Sequence, residues 1–154
     1  MIFEAIRENK GAGGGLALGC SKELNPAWVR EGVNGVEALS VDIFLKSMKI
    51  RCCAAYGPQE NDLIDKKDAF WKYLDEEVIA AKDGGAGFIL QFDGNLWAGS
   101  GLVPGDPRPQ NRNGKLFKEF LDRNNLTVVN SLPICEGLLT RKRWKDETSL
   151  RKAF

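Results

Sequence analysis

Alternating apolar and polar residues predict a β-hairpin over residues 39–56. Every second residue is apolar over 39–45, and the alternation resumes over 48–56 after a short polar break. A period of two residues sends successive side chains to opposite faces of a strand. Gly57 and Pro58 end the second strand, because proline donates no ladder hydrogen bond. The pattern therefore places Tyr56 at the end of a strand.

The apolar period lengthens in two later segments, and this predicts helices. Over residues 62–82, Phe70, Leu74 and Val78 recur every four residues among charged side chains, and residues 113–124 show a similar amphipathic pattern. Short apolar runs predict further strands over 16–20, 88–92 and 126–130. Polar and turn-forming residues predict a surface connection over 21–35 and a long irregular loop over 96–113.

This order of strands and helices predicts a single α/β domain over residues 1–154, a layered β-sandwich flanked by helices. The chain has 154 residues, 43% of them hydrophobic, a size that suits one globular domain. We expect no membrane segment, because the apolar runs are much shorter than the roughly 20 residues of a membrane span. The N-terminus also has no apolar signal region, which favours a nuclear or cytoplasmic protein that is not secreted.

Composition narrows the chemistry further. The 22 Lys and Arg residues nearly balance 21 Asp and Glu residues, which argues against an extended basic coat for nucleic acid. The chain contains no histidine, so catalysis through a Ser–His or Cys–His pair is excluded for these residues. The four cysteines lack metal-site spacing, and we expect free thiols.

Four polar residues follow the ends of apolar segments: Tyr56, Asp93, Asn95 and Thr140. Asp93 and Asn95 are two residues apart after a predicted strand, where a carboxylate can orient or deprotonate water and an amide can donate to a phosphate oxygen. Each residue also has a simpler interpretation. Asp-Gly-Asn is a common turn, Tyr56 suits a half-buried core position, and Thr140 suits an ordinary strand or turn. Trp97 fits equally well as a substrate-facing aromatic or as a lid residue.

Five segments, in this order, resemble the endonuclease/exonuclease/phosphatase superfamily, and in particular the endonuclease domains of non-LTR retrotransposons. They are Ala54-Ala55-Tyr56-Gly57-Pro58, Phe88-Ile-Leu-Gln-Phe92-Asp93-Gly94-Asn95, Asn113-Gly114-Lys-Leu-Phe-Lys-Glu-Phe-Leu121, Leu126-Thr-Val-Val-Asn130 and Leu139-Thr140-Arg141. The resemblance implies a four-layered, DNase I-like α/β sandwich. It also implies Mg²⁺- or Mn²⁺-dependent hydrolysis of a phosphodiester, usually in DNA.

The same resemblance implies a role for each matching residue. Asp93 would polarise the attacking water, while Asn95 would bind the scissile phosphate and fix Asp93. Tyr56 would contact a phosphate oxygen, and Thr140 would help to position the phosphate. Arg141 begins a basic-aromatic cluster over residues 141–145, which fits either a nucleic-acid backbone contact or a solvated surface.

The chain departs from the family pattern at both ends. The family's early Asn and metal-binding Glu and its late Asp–His pair have no counterpart here, so we expect a domain truncated at both ends. The metal ligands then stay open: Asp93 is a possible ligand, together with Asn95, and Glu4, Glu8 and Glu37 do not stand in the family's context for the Glu ligand. Truncation would leave sheet edges unpaired and would favour self-association.

Three functions remain open from the sequence. The first is a metal-dependent DNA endonuclease of retrotransposon type. The second is an inactive remnant that is structural or binds nucleic acid without cleaving it. The third is a phosphatase or phosphodiesterase of the same fold that acts on a small phosphate ester.

Overall fold

The part of the chain that the structure describes contains six strands and two α-helices. The structure is a computed structural model, and it describes residues 1–5, 15–103 and 106–132. The strands are β1 (Ile2–Ala5), β2 (Leu16–Gly19), β3 (Ala27–Glu31), β4 (Glu37–Leu45), β5 (Met48–Tyr56) and β6 (Ala86–Asp93). The helices are α1 (Ile64–Asp83) and α2 (Arg112–Asn124), with 3₁₀ turns at Lys22–Leu24 and Val129–Ser131. The predicted α/β class is confirmed.

The larger sheet has the strand order β3-β4-β5-β6 and is mixed. β3, β4 and β5 pair antiparallel, and Leu45 lies opposite Met48 at the predicted hairpin turn. β6 pairs parallel with β5, and α1 makes the crossover that this pairing requires. β3 and β6 are the outer strands of this sheet within the described residues. Self-association through such edges stays a prediction.

Both faces of the larger sheet are covered, so the fold has three described layers. On one face, Ala38, Cys53 and Ala55 pack with the aromatic residues of α1 and α2. On the other face, Leu39 and Val41 pack against the small antiparallel sheet of β1 and β2. Neighbouring residues of β4 therefore enter different cores, which explains why this strand is buried over residues 38–42.

The two predicted helices are confirmed, and they lie against each other. Arg123 and Asn124 of α2 both bond the Asp75 carboxylate of α1, with nitrogen–oxygen distances of 2.6 Å each. Lys82 Nζ also donates to the Asn124 carbonyl oxygen at 2.9 Å. No helix among the described residues combines the length and the apolar character needed to cross a membrane.

A buried network of charges joins α1 to the larger sheet. Arg51 on β5 makes a bidentate pair with Asp42 on β4, at 2.8 and 3.2 Å. Its guanidinium also lies 3.7 Å from the carboxylate of Glu77 on α1, which is fully buried. Arg30 on β3 bonds Glu77 from the other side. One helix carboxylate thus bridges arginines of two strands, and this fixes α1 over the sheet.

The network also sets the ionisation of Asp42. Burial tends to raise the pKa of the Asp42 carboxyl, but the Arg51 hydrogen bonds and charge outweigh burial and hold the pKa below its usual value. Lys49 adds a further cation 3.3 Å from Asp42. The carboxylate therefore stays ionised in the folded protein at neutral pH.

Two sequence predictions are wrong. Residues 21–35 are predicted as a surface connection but include β3, whose residues are exposed or only partly buried, so the strand shows little apolar alternation. Residues 126–130 were predicted as a strand, yet they pair with no strand in the described part of the chain. Asn125 ends α2 in the left-handed conformation, and Leu126 and Val128 then pack on the core from an irregular segment that leads into a 3₁₀ turn.

The described cysteines are free thiols, as predicted. They are Cys20, Cys52 and Cys53, while Cys135 lies outside the described residues. Burial raises the pKa of the Cys53 thiol to about 12. Cys53 is therefore neutral at physiological pH and acts as a small core residue.

Replacing Glu77 by alanine should destabilise the fold by about 3 kcal/mol, because it leaves the Arg51 guanidinium buried without one of its two carboxylates. The matched control is Glu76→Ala, which removes an exposed carboxylate that pairs with Arg30 at 3.4 Å and should cost less than about 1 kcal/mol. Urea unfolding of both variants measures the difference. Equal losses would contradict a bridging role for Glu77.

The stability contribution of the Asp42–Arg51 pair should depend on pH. Because the folded pKa of Asp42 is lowered from an unfolded value near about 3.9, its contribution is present above that pH and is lost as the pH falls through the folded pKa. Asp42→Asn should therefore be less stable than wild type at neutral pH, and the gap should narrow below about pH 4. Thermal unfolding across this range tests the expectation, with the exposed Asp68→Asn as a control that shows no such narrowing.

Candidate functional site

Three strands bring their polar ends to one edge of the larger sheet. Tyr56 and Asp93 are partners in the parallel register of β5 and β6, so their side chains leave the sheet on the same face. Glu37, at the start of β4, is the antiparallel partner of Tyr56. We call Tyr56, Asp93 and Asn95 the rim. The structure thus brings together three of the residues predicted from the sequence and adds Glu37 to the same row.

The segments that follow β5 and β6 are in direct contact. The Gly57 amide donates to the Asp93 carbonyl oxygen at 2.7 Å, which extends the strand pairing by one residue. A Cβ atom on Gly57 would lie 2.9 Å from the Gly94 carbonyl oxygen. Glycine at position 57 therefore permits the close approach that holds the rim residues together.

Asn95 is held in an unusual backbone conformation beside Asp93. Its φ angle is 46°, in the left-handed region that asparagine tolerates better than most residues. Its backbone amide donates to Asp93 Oδ1 at 3.3 Å, and its side-chain Nδ2 donates to the Gly57 carbonyl oxygen at 2.7 Å. An amide nitrogen carries two protons, so the same group can also donate to a substrate oxygen.

A buried asparagine that sequence reasoning did not assign to the site bonds the backbone of both loops that carry the rim. Asn113, in the first turn of α2, is fully buried, and its Nδ2 donates to the carbonyl oxygens of Pro58 at 2.8 Å and Asn95 at 3.1 Å. It therefore ties the loop after β5 to the loop after β6. The sequence signal, Asn113-Gly114, indicated only the start of a helix, because its partners are 55 and 18 positions away.

The N-terminus of α2 is itself anchored by two further residues that the sequence did not single out. The Glu60 carboxylate accepts the backbone amides of Arg112 and Asn113 at 3.2 and 3.4 Å, where helix amides favour negative charge. Asn111 caps the helix by accepting the Gly114 amide at 2.9 Å, and it also accepts the Trp97 amide at 3.0 Å. The loops around the rim are thus fixed to one helix end.

An open cleft of about 960 Å³ lies beside the rim, between the loop at residues 32–36 and the start of α1. Tyr56 and Glu37 line it, and the Tyr56 hydroxyl accepts a hydrogen bond from Gln59 Nε2 at 2.9 Å. On its opposite wall, Lys66 pairs with Asp62 at 2.8 Å, and this hydrogen bond lowers the pKa of the Asp62 carboxyl. The cleft is polar and reaches the phenol of the rim.

The described residues do not by themselves form a site for the Mg²⁺ or Mn²⁺ that the resemblance implies. Asp93 is the single carboxylate among the three rim residues, and Glu37 is the other carboxylate in the same row. Over residues 1–5, 15–103 and 106–132, no group of three or more His, Cys, Asp or Glu side chains is placed to hold a metal ion. Hard divalent ions need several oxygen ligands, and the rim residues alone do not supply them.

The two remaining predicted site residues, Thr140 and Arg141, lie outside the described residues, as does the basic-aromatic cluster over 141–145. Their roles at the phosphate stay predictions. Comparisons of the chain with protein-family models, curated proteins and solved structures give no match.

Replacing Asn113 by alanine should destabilise the protein by about 2 kcal/mol, because two carbonyl oxygens lose their donor and the two rim loops lose their connection. Asn130→Ala, at an exposed position outside the rim, is the matched control and should change the free energy of unfolding by less than about 0.5 kcal/mol. Denaturant unfolding measures both. If the Asn113 variant were as stable as the control, the loops would be held by other contacts.

Proposed function

We propose that the rim hydrolyses phosphodiester bonds and that the chain is an endonuclease/exonuclease/phosphatase-type domain of the retrotransposon endonuclease kind. The observation that carries the proposal is the parallel register of Tyr56 and Asp93. The Asn95 side-chain amide lies beside them and donates to the carbonyl oxygen of Gly57, the residue after Tyr56. A carboxylate, an amide and a phenol are thereby presented at one sheet edge. The stacked sheets with helices on one face agree with a DNase I-like sandwich in the described layers.

The carboxylate, the amide and the phenol of the rim would each have a different role in hydrolysis. The exposed Asp93 carboxylate accepts a proton from water or orients it for attack on phosphorus. The Asn95 amide donates to a phosphate oxygen while its own bond to Gly57 keeps it in place. The Tyr56 phenol, which also lines the cleft, contacts a second phosphate oxygen. The Asn95 amide and the Tyr56 hydroxyl would thus be in place to bind the charged phosphate oxygens before the substrate arrives.

DNA is the substrate we propose, because the resemblance is to endonuclease domains. Such a substrate agrees with a nuclear or cytoplasmic location. The resemblance also supplies the expectation of Mg²⁺ or Mn²⁺, and divalent ions are therefore included in the test.

Binding of nucleic acid without cleavage is the second candidate. It is favoured by the single carboxylate of the rim, since the described residues alone do not complete a metal site. In this case the rim would hold a phosphate through Asn95 and Tyr56 and leave the bond intact.

Asp93→Ala should abolish nicking of supercoiled plasmid DNA that the wild-type chain carries out with Mg²⁺ or Mn²⁺. General acid–base groups of this kind contribute about 10²- to 10⁴-fold to the rate, so the residual activity should fall below detection. Gel electrophoresis of plasmid, with and without EDTA, gives the measurement. Gln91→Ala is the matched control, because Gln91 is exposed two residues earlier on the same strand.

Two results would decide against hydrolysis of DNA at the rim. Nicking that survives Asp93→Ala would place the activity elsewhere, and salt-dependent binding of DNA with no nicking by wild type would favour the second candidate. Turnover of a small phosphate ester with plasmid left intact would indicate the third function derived from the sequence.

A further inference from the structure

We propose that Trp97, together with Arg108, forms a stacking platform for an unpaired nucleobase next to the phosphate held at the rim. The inference rests on the proposed nucleic-acid function of the rim and names the part of the substrate that the rim itself does not contact. It follows from the position, exposure and support of the indole ring.

Trp97 lies two residues beyond Asn95, and both residues are held at the start of α2, Trp97 through Asn111 and Asn95 through Asn113. The side chain is large and apolar but 46% exposed, although a buried aromatic core lies close by. Bases offer a flat π-face that stacks on such a ring whatever their identity. An exposed indole next to a phosphate-binding group therefore suits a nucleotide whose base is not paired.

The backbone amide and the backbone carbonyl of Trp97 both contact the start of α2. Its amide donates to Asn111 Oδ1 at 3.0 Å, the same atom that caps α2. Its carbonyl oxygen packs so closely on α2 that a Cβ atom added at Gly114 would lie 2.0 Å away. The ring is thus presented from a rigid helix end, which reduces the entropy lost when a base stacks on it.

Arg108 completes the platform. Its guanidinium carbon lies 5.8 Å from the centre of the Trp97 ring. Asp106 holds the guanidinium through two hydrogen bonds of 2.9 and 3.1 Å, and these hydrogen bonds lower the pKa of the Asp106 carboxyl. A guanidinium held over an indole contributes cation–π attraction and a second flat surface, while the Asp106 carboxylate balances its charge.

The test measures binding in EDTA, so that cleavage does not enter. The probes are fluorescein-labelled oligothymidylate of about 12 nucleotides, within the usual span of single-strand sites, and an abasic oligonucleotide of the same length and charge. Trp97→Ala should weaken binding of oligothymidylate about tenfold and leave binding of the abasic strand unchanged, while Trp97→Phe should retain most of the affinity. Fluorescence anisotropy gives the dissociation constants, and thermal unfolding confirms that each variant is folded.

Trp28→Ala is the matched control, because Trp28 is 44% exposed but lies on β3, the opposite outer strand from β6. It should leave both affinities unchanged. Equal weakening of both oligonucleotides by Trp97→Ala, an equal effect of Trp28→Ala, or no binding of oligothymidylate by wild type would overturn the platform. If one of these results came together with Asp93-dependent nicking of plasmid, the stacking platform would be wrong and hydrolysis at the rim would stand. If Trp97→Ala weakened only oligothymidylate binding but wild type nicked no plasmid, hydrolysis would be wrong and the platform would stand.

Discussion

The parallel pairing of β5 with β6 is the constraint on which the rest of the structure depends. A slip of one residue in this register would send Tyr56 and Asp93 to opposite faces of the sheet. Parallel strands also require a long crossover, which α1 provides, and they are stable when both faces are covered. The aromatic core under α1 and α2 and the small sheet of β1 and β2 supply that cover. The geometry of the rim is therefore a consequence of how the cores pack.

The buried charges determine how the crossover helix sits on the sheet. An apolar helix face can slide or rotate over an apolar sheet with little loss, whereas the Glu77 carboxylate must meet arginines from two different strands. The cost of removing these charges from water is offset only when the pairs form with good geometry. Glu77 thus ties α1 to β3 and β5, and α1 leads into β6.

The sequence predicts the parts of this fold whose patterns are local. The hairpin over 39–56 and both helices have clear periods, and Asp93, Asn95 and Tyr56 could be placed because each lies at or just after the end of an apolar strand. β3 was missed because an outer strand with partly buried residues lacks alternation. Residues 126–130 were misassigned because apolar residues also pack on a core from irregular backbone. Asn113 and Glu60 could not be found, since their roles exist only where distant loops meet the first turn of α2.

The support around Asn95 links this scaffold to its chemistry. A left-handed backbone costs a residue other than glycine roughly 1–2 kcal/mol, and Asn95 adopts it with a φ angle of 46°. The conformation persists because the Asn95 carbonyl is held by Asn113 and its side chain by the Gly57 carbonyl. In this conformation its backbone amide points to the Asp93 carboxylate. Local strain maintained by surrounding hydrogen bonds is a common way to preorganise polar groups, and under the proposed function these groups would need no rearrangement to bind a phosphate.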